Sequence, residues 1–179
     1  MSLLALDTIG GLPAHPLLVH IPVVLVPVTA VVAFCAIVPK WRTHALWAAT
    51  ITGFVAAVGI YLAADAGDAL EHAARQTATT EKLALIHNHT QMADGASALT
   101  YLMFLCLLGW LLLHIAHNHT DRLPKVGKFL SKLPKWTAIV AMVVTLVASA
   151  GAVYKVAQVG HSGAKASWYG VHVVSGQGD

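Results

Sequence analysis

Charge is scarce in this chain. Of 179 residues, Lys, Arg, Asp and Glu make up only 11%, against roughly 25% in a soluble domain. A surface that meets water all round is therefore excluded. No Lys or Arg stands before position 40. The opening MSLLALDTIGGLP thus lacks the basic start and cleavage site of a signal peptide, and the first apolar run is expected to be retained as an anchor. Cysteine is nearly absent. Cys35 and Cys106 lie inside apolar runs with no spacing motif, which excludes a disulfide framework and reads as two small buried hydrophobes. The basic residues form no patch interleaved with aromatics, so nucleic-acid binding has no support.

What is abundant is apolar length. Apolar residues are 57% of the chain, and four stretches, 17–38, 45–64, 96–116 and 136–159, reach the ~20 residues that a span needs. Open strands cannot satisfy their backbone in lipid. The expected fold is therefore all-α, a four-helix transmembrane bundle forming one integral membrane domain over 1–179. Pro16 suits the first turn of a helix, Pro39 closes the first span, and Pro124 and Pro134 bracket a polar loop before the fourth. Small residues recur at packing intervals, Ala49, Gly53 and Ala57 on the second span, Ala141, Thr145, Ala148 and Ala152 on the fourth. Such stripes let helix backbones approach closely in lipid.

Residues 65–95 keep a helical pattern around a turn near 76–80. An extramembrane helical hairpin between the second and third spans is expected there, with Thr79 or Thr80 capping the return helix and Glu81 in its first turn. The tail 160–179 is too polar and short to span.

The charges are sorted by side. Lys40, Arg42, Arg122, Lys125, Lys128, Lys132 and Lys135 share one side with a single acid, Asp121; the other side has four bases and seven acids. Excess Lys and Arg in short loops mark the cytoplasmic face, so both termini are expected outside the cytoplasm.

Eleven histidines stand out. The outer side collects His15, His20, His72, His87, His89, His161 and His172, the inner side His44, His114, His117 and His119. Imidazole is the commonest metal ligand, and bundles present such ligands inward from separate helices. His20 lies one turn inside the first helix, beside Pro22 and Pro27, which loosen it. His89 sits on the outward extension of the third helix and His161 just past the fourth. These three reach about one level and are the candidate cofactor and metal ligands. His15, ahead of Pro16, joins them as a candidate whose orienting or capping role is favoured over ligation. Each has an ordinary reading too: His20 as donor to a carbonyl freed at the kink, His89 and His161 as interfacial side chains. Asp65, Asp68 and Asp94 either accept a ligand's second ring N–H or simply solvate the outer face. His44 and His114 form a possible inner site, while His117 and His119 suit solvent or lipid headgroups.

The segments GLPAHPLLVHIPVVLVPV at 11–28 and GHSGAKASW at 160–168 resemble the bacterial membrane family catalogued as domain of unknown function 2231. His15, Pro16, His20 and Pro22 match its His-Pro-x-Leu-Val-His-x-Pro opening, and His161, Ser162 and Gly163 its ending. His89 fits its middle histidine. The resemblance implies a four-helix protein of the bacterial inner membrane. Fusion of some members to cytochrome c-type domains implies redox work, with no established reaction.

The leading expectation is a small cytochrome-like protein with b-type haem at the outer end. Its axial ligands would be His20 with His89, or His161 with His89, for electron transfer with a periplasmic carrier or quinol. The second expectation keeps the histidines and holds copper or zinc. The third is a cofactor-free accessory subunit of a larger membrane complex. Hydrolysis has no nucleophile–base–acid arrangement to support it.

Overall fold

The computed structural model describes residues 8–118 and 126–170. Four of its helical stretches are long and apolar enough to cross a bilayer. The first is broken once, into α1 (Ala14–Leu18) and α2 (His20–Cys35). Pro22 has no N–H to offer the carbonyl of Leu18, so the chain loosens there. The break is confined to Val19, which still bonds back to His15 at 3.0 Å and accepts from Val23 at 3.2 Å. Helices α3 (Arg42–Ala74), α4 (Thr80–Asn118) and α6 (Trp136–Ser167) are continuous. All three run past their apolar cores, and α6 carries residues 160–167 of the expected tail in helix. A short helix, α5 (Val126–Leu130), stands in the loop before α6.

The long helices alternate in direction and pack in a closed ring, α2 on α3, α3 on α4, α4 on α6 and α6 back on α2. The end where α1 begins, α3 finishes, α4 begins and α6 finishes is called the upper end. Leu46, Met103, Leu107 and Val26 fill the axis, surrounded by alanines such as Ala49, Ala56, Ala96, Ala148 and Ala152. The small-residue stripes behave as their spacing predicts. A Cβ on Gly53 would meet Leu107 at 3.2 Å, and Thr145, Ala148 and Ala152 are buried.

Among the described residues the buried hydroxyls are all satisfied. Thr50, Thr100, Thr145 and Ser149 each donate to the carbonyl four residues back on their own helix. Thr29 instead bridges α2 to α3, donating to the Thr52 hydroxyl at 2.8 Å. At the lower end Arg42 donates to the carbonyls of Ala36 and Ile37, closing the last turn of α2.

At the upper end α3 turns into α4 through residues 75–79. Thr79 is the cap, its hydroxyl 3.4 Å from the Lys82 N–H, and Glu81 lies in the first turn. Ahead of α1, strands β1 (Thr8–Ile9) and β2 (Leu12–Pro13) pair antiparallel. Gly10 and Gly11 join them at φ +60° and +81°, the left-handed pair that a two-residue hairpin requires.

Candidate functional site

His15 enters the upper end from α1, and His89 from the third turn of α4. Their rings stand edge to face, with centroids 6.2 Å apart and planes at 84°. The local sequence explains the approach. The Val19 break lets α1 lie separately against α3, and two glycines make room for the rings. A Cβ on Gly67 of α3 would sit 3.0 Å from His15 Nδ1, and one on Gly163 of α6 would sit 2.9 Å from His89 Cε1. Each imidazole thus lies against bare backbone of a neighbouring helix.

The hydrogen bonds assign the ring protons. His15 Nδ1 is 2.7 Å from the carbonyl oxygen of Ala63. A carbonyl only accepts, so Nδ1 donates and a neutral ring keeps its lone pair at Nε2. His89 Nδ1 is 3.0 Å from Ser162 Oγ, and the Ser162 hydroxyl donates to the carbonyl of Val159 at 2.9 Å. With that hydrogen committed, Ser162 accepts from His89, which is likewise protonated at Nδ1. His15 Nε2 has no hydrogen-bond partner among the described residues, and His89 also meets the Val159 carbonyl. Burial holds His89, which lies in the polar stretch ahead of 96–116, below the ordinary imidazole pKa. His15 nearby pushes the same way, against an opposite pull from the Val159 carbonyl. Burial and the His15 neighbour thus favour the neutral imidazole of His89, the form that ligates metals.

Among the described residues the other candidates make no hydrogen bond or ring contact with this pair. His20, past the Val19 turn, is exposed, with Nδ1 donating to the Pro16 carbonyl at 2.7 Å. His161 is exposed as well, because Ser162 next to it on α6 is the residue that faces inward. It lines a cleft of about 150 Å³ with Asn88, Met92, Gln158, Ser162 and Lys165. Asp68 and Asp94 are exposed and Asp65 is half-buried. The Nδ1 atoms of the pair are held by Ala63 and Ser162 rather than by these carboxylates. At the lower end His44 is exposed, while His114 bonds Thr43 through Nε2 at 2.9 Å and Asn118 through Nδ1 at 3.3 Å. His119 and His172 lie outside the described residues. No three His, Cys, Asp or Glu side chains gather to hold a metal ion among the described residues.

Sequence reasoning passed over Gly67, Gly163 and the role of Ser162. A signal was available in the spacing Gly59, Ala63, Gly67, three small residues one turn apart on a helix that otherwise gains nothing from glycine.

A family model described as a predicted membrane protein, DUF2231, matches residues 11–175. The chain belongs to that family. The matched region includes His15, His89 and Ser162, so the whole upper site lies within it. No curated protein and no solved structure matches the chain.

Proposed function

We propose that this protein is a membrane electron carrier whose upper end holds a b-type haem between His15 and His89. The observation that carries the reading is the pair itself, two neighbouring imidazoles from different helices, each held at Nδ1. The two rings stand close enough, with centroids 6.2 Å apart, to be served by one cofactor. Haem iron asks the protein for only two axial ligands. Zinc and copper sites ask for three or four, and the described residues gather no such group. This count favours haem over a bare ion.

A haem held by His15 and His89 would supply single-electron exchange. The chain's own residues do the rest. Ala63 and Ser162 keep each ring in one tautomer and one orientation, which raises ligand basicity. Gly67 and Gly163 let the backbones of α3 and α6 close over the rings and exclude water. The Lys and Arg excess at the lower end supports a cytoplasmic location for that end. The upper end, with both termini, then faces the periplasm of a bacterial inner membrane, where a soluble carrier or a quinol exchanges electrons with it. The 75–79 turn stands in water in that arrangement.

The test is an optical spectrum of the detergent-purified protein, oxidised and then dithionite-reduced. A sharp Soret band with low-spin alpha and beta bands is expected, lost in His15→Ala and in His89→Ala and kept in His20→Ala. A featureless spectrum with stoichiometric copper or zinc would instead make this a metal-handling protein. Neither haem nor metal, with co-purifying membrane partners, would make it an accessory subunit.

A further inference from the structure

The lower end carries a feature that the histidine site does not use. Between residues 126 and 136 the chain reads VGKFLSKLPKW, three lysines in eight residues with no acid among them. Helix α5 and the turn after it form a small rigid platform. Ser131 bonds back to Gly127 at 2.8 Å and Lys132 to Phe129 at 3.2 Å. Gly127 is buried where α5 lies against α4, and His117 of α4 donates from Nε2 to the Leu133 carbonyl at 3.2 Å.

On this platform two aromatic and three basic side chains are exposed. Phe129 is 69% exposed and Trp136 62% exposed. Lys128, Lys132 and Lys135 are exposed too, and no ammonium among them has an ion-pair or hydrogen-bond partner among the described residues. Lys40 and Trp41, the latter 55% exposed, extend the same mixture at the α2–α3 turn. All five acids among the described residues, Asp65, Asp68, Glu71, Glu81 and Asp94, lie in the upper half. An aromatic ring exposed beside lysines at the end of a membrane span is placed to enter the headgroup region, and unpaired lysines there attract anionic lipid.

From these placements we infer that the α5 platform is a binding site for anionic phospholipid. Lys128, Lys132 and Lys135 hold the headgroup phosphate, and Phe129 and Trp136 lie along the top of the acyl chains. The site is independent of any cofactor at the upper end, so it stands or falls separately from the haem reading.

Native mass spectrometry of the full chain, incubated in mixed micelles of phosphatidylglycerol and phosphatidylcholine, tests it. Phosphatidylglycerol is expected to be retained over phosphatidylcholine by about a hundredfold, at about fivefold for each of the three lysines. The triple variant Lys128→Gln, Lys132→Gln, Lys135→Gln is expected to lose about a hundredfold on the same scale, and the triple Lys→Arg variant to keep the preference. Added salt weakens the preference, since the groups are exposed. Equal retention of the two lipids would overturn the inference, as would an unchanged preference in the Gln variant at unchanged helical content. Displacement of the lipid by inorganic phosphate at equal concentration would overturn it as well, because the ligand would then be free phosphate.

Discussion

Gly163 lies so close to His89 that a methyl group on its Cα would come within 2.9 Å of the imidazole Cε1. Gly67 stands to His15 in the same way, at 3.0 Å from Nδ1. Gly163→Ala and Gly67→Ala are therefore expected to force the rings out of place and cost about 1–3 kcal/mol each, as overpacking does. Both should also weaken any Soret band. Gly109 and Gly160 have open space where a Cβ would go, so alanine there is expected to be neutral or to stabilise by up to about 1 kcal/mol. Thermal unfolding of the four variants in one detergent separates the two classes.

The contact at Gly59 supports the first helix rather than the site. A Cβ on Gly59 would overlap Ile21 Cγ2 and lie 2.8 Å from Ile21 Cβ. Gly59→Ala should push α2 off α3 and lower stability by about 1–3 kcal/mol. The double variant Gly59→Ala, Ile21→Ala is expected to recover part of that loss. A double-mutant cycle showing no coupling would contradict the contact.

Ser162 is the link between His89 and the Val159 carbonyl. In Ser162→Ala the His89 N–H loses its acceptor, at about 1 kcal/mol, and cofactor retention should drop about 10–100-fold. His161→Ala, at the exposed neighbouring position, is expected to leave both quantities unchanged. Equal losses from the two would transfer the role to His161.

Near the 75–79 turn Glu71 accepts from Arg75 at 2.7 Å and from Thr90 at 2.8 Å. Those two bonds, Arg75 first, hold its carboxyl below the ordinary value of 4.5. A depressed folded pKa means that the contribution is fully present above the unfolded value and disappears as pH falls through the lower folded one. The wild-type unfolding midpoint should therefore drop between about pH 5 and lower pH. Glu71→Gln is expected to begin about 1 kcal/mol less stable and to show a flatter acid limb. Parallel acid limbs would remove Glu71 from the account.

The architecture was legible because lipid allows so few solutions. Apolar runs of sufficient length, with prolines and lysines at their ends, led to four helices in the right places. The α5 helix was not legible, being five residues held by contacts with α4 and with no periodicity of its own. At the site, residue type was readable and direction was not. His20 and His89 looked alike in sequence, yet one residue at Val19 turns His20 out and leaves His15 facing in. His161 and Ser162 differ by a single step on α6, about 100° of helix rotation, and that step decides which of them meets His89. Glycine contacts depend on the partner helix, which spacing on one helix does not reveal.

The way the hydroxyls are satisfied also bears on how the protein is made. Thr50, Thr100, Thr145 and Ser149 find their acceptors within their own helix, so each segment can leave the insertion machinery with these side chains already bonded. Thr29 waits only for the next helix to bring Thr52, and His15 for the same helix to bring Ala63. His89 waits for the last, since Ser162 belongs to α6, and Glu81 waits as well for Tyr169 just past it. Order of synthesis becomes order of completion, and the imidazole pair is held at both rings only once α6 has joined the other helices in the bilayer.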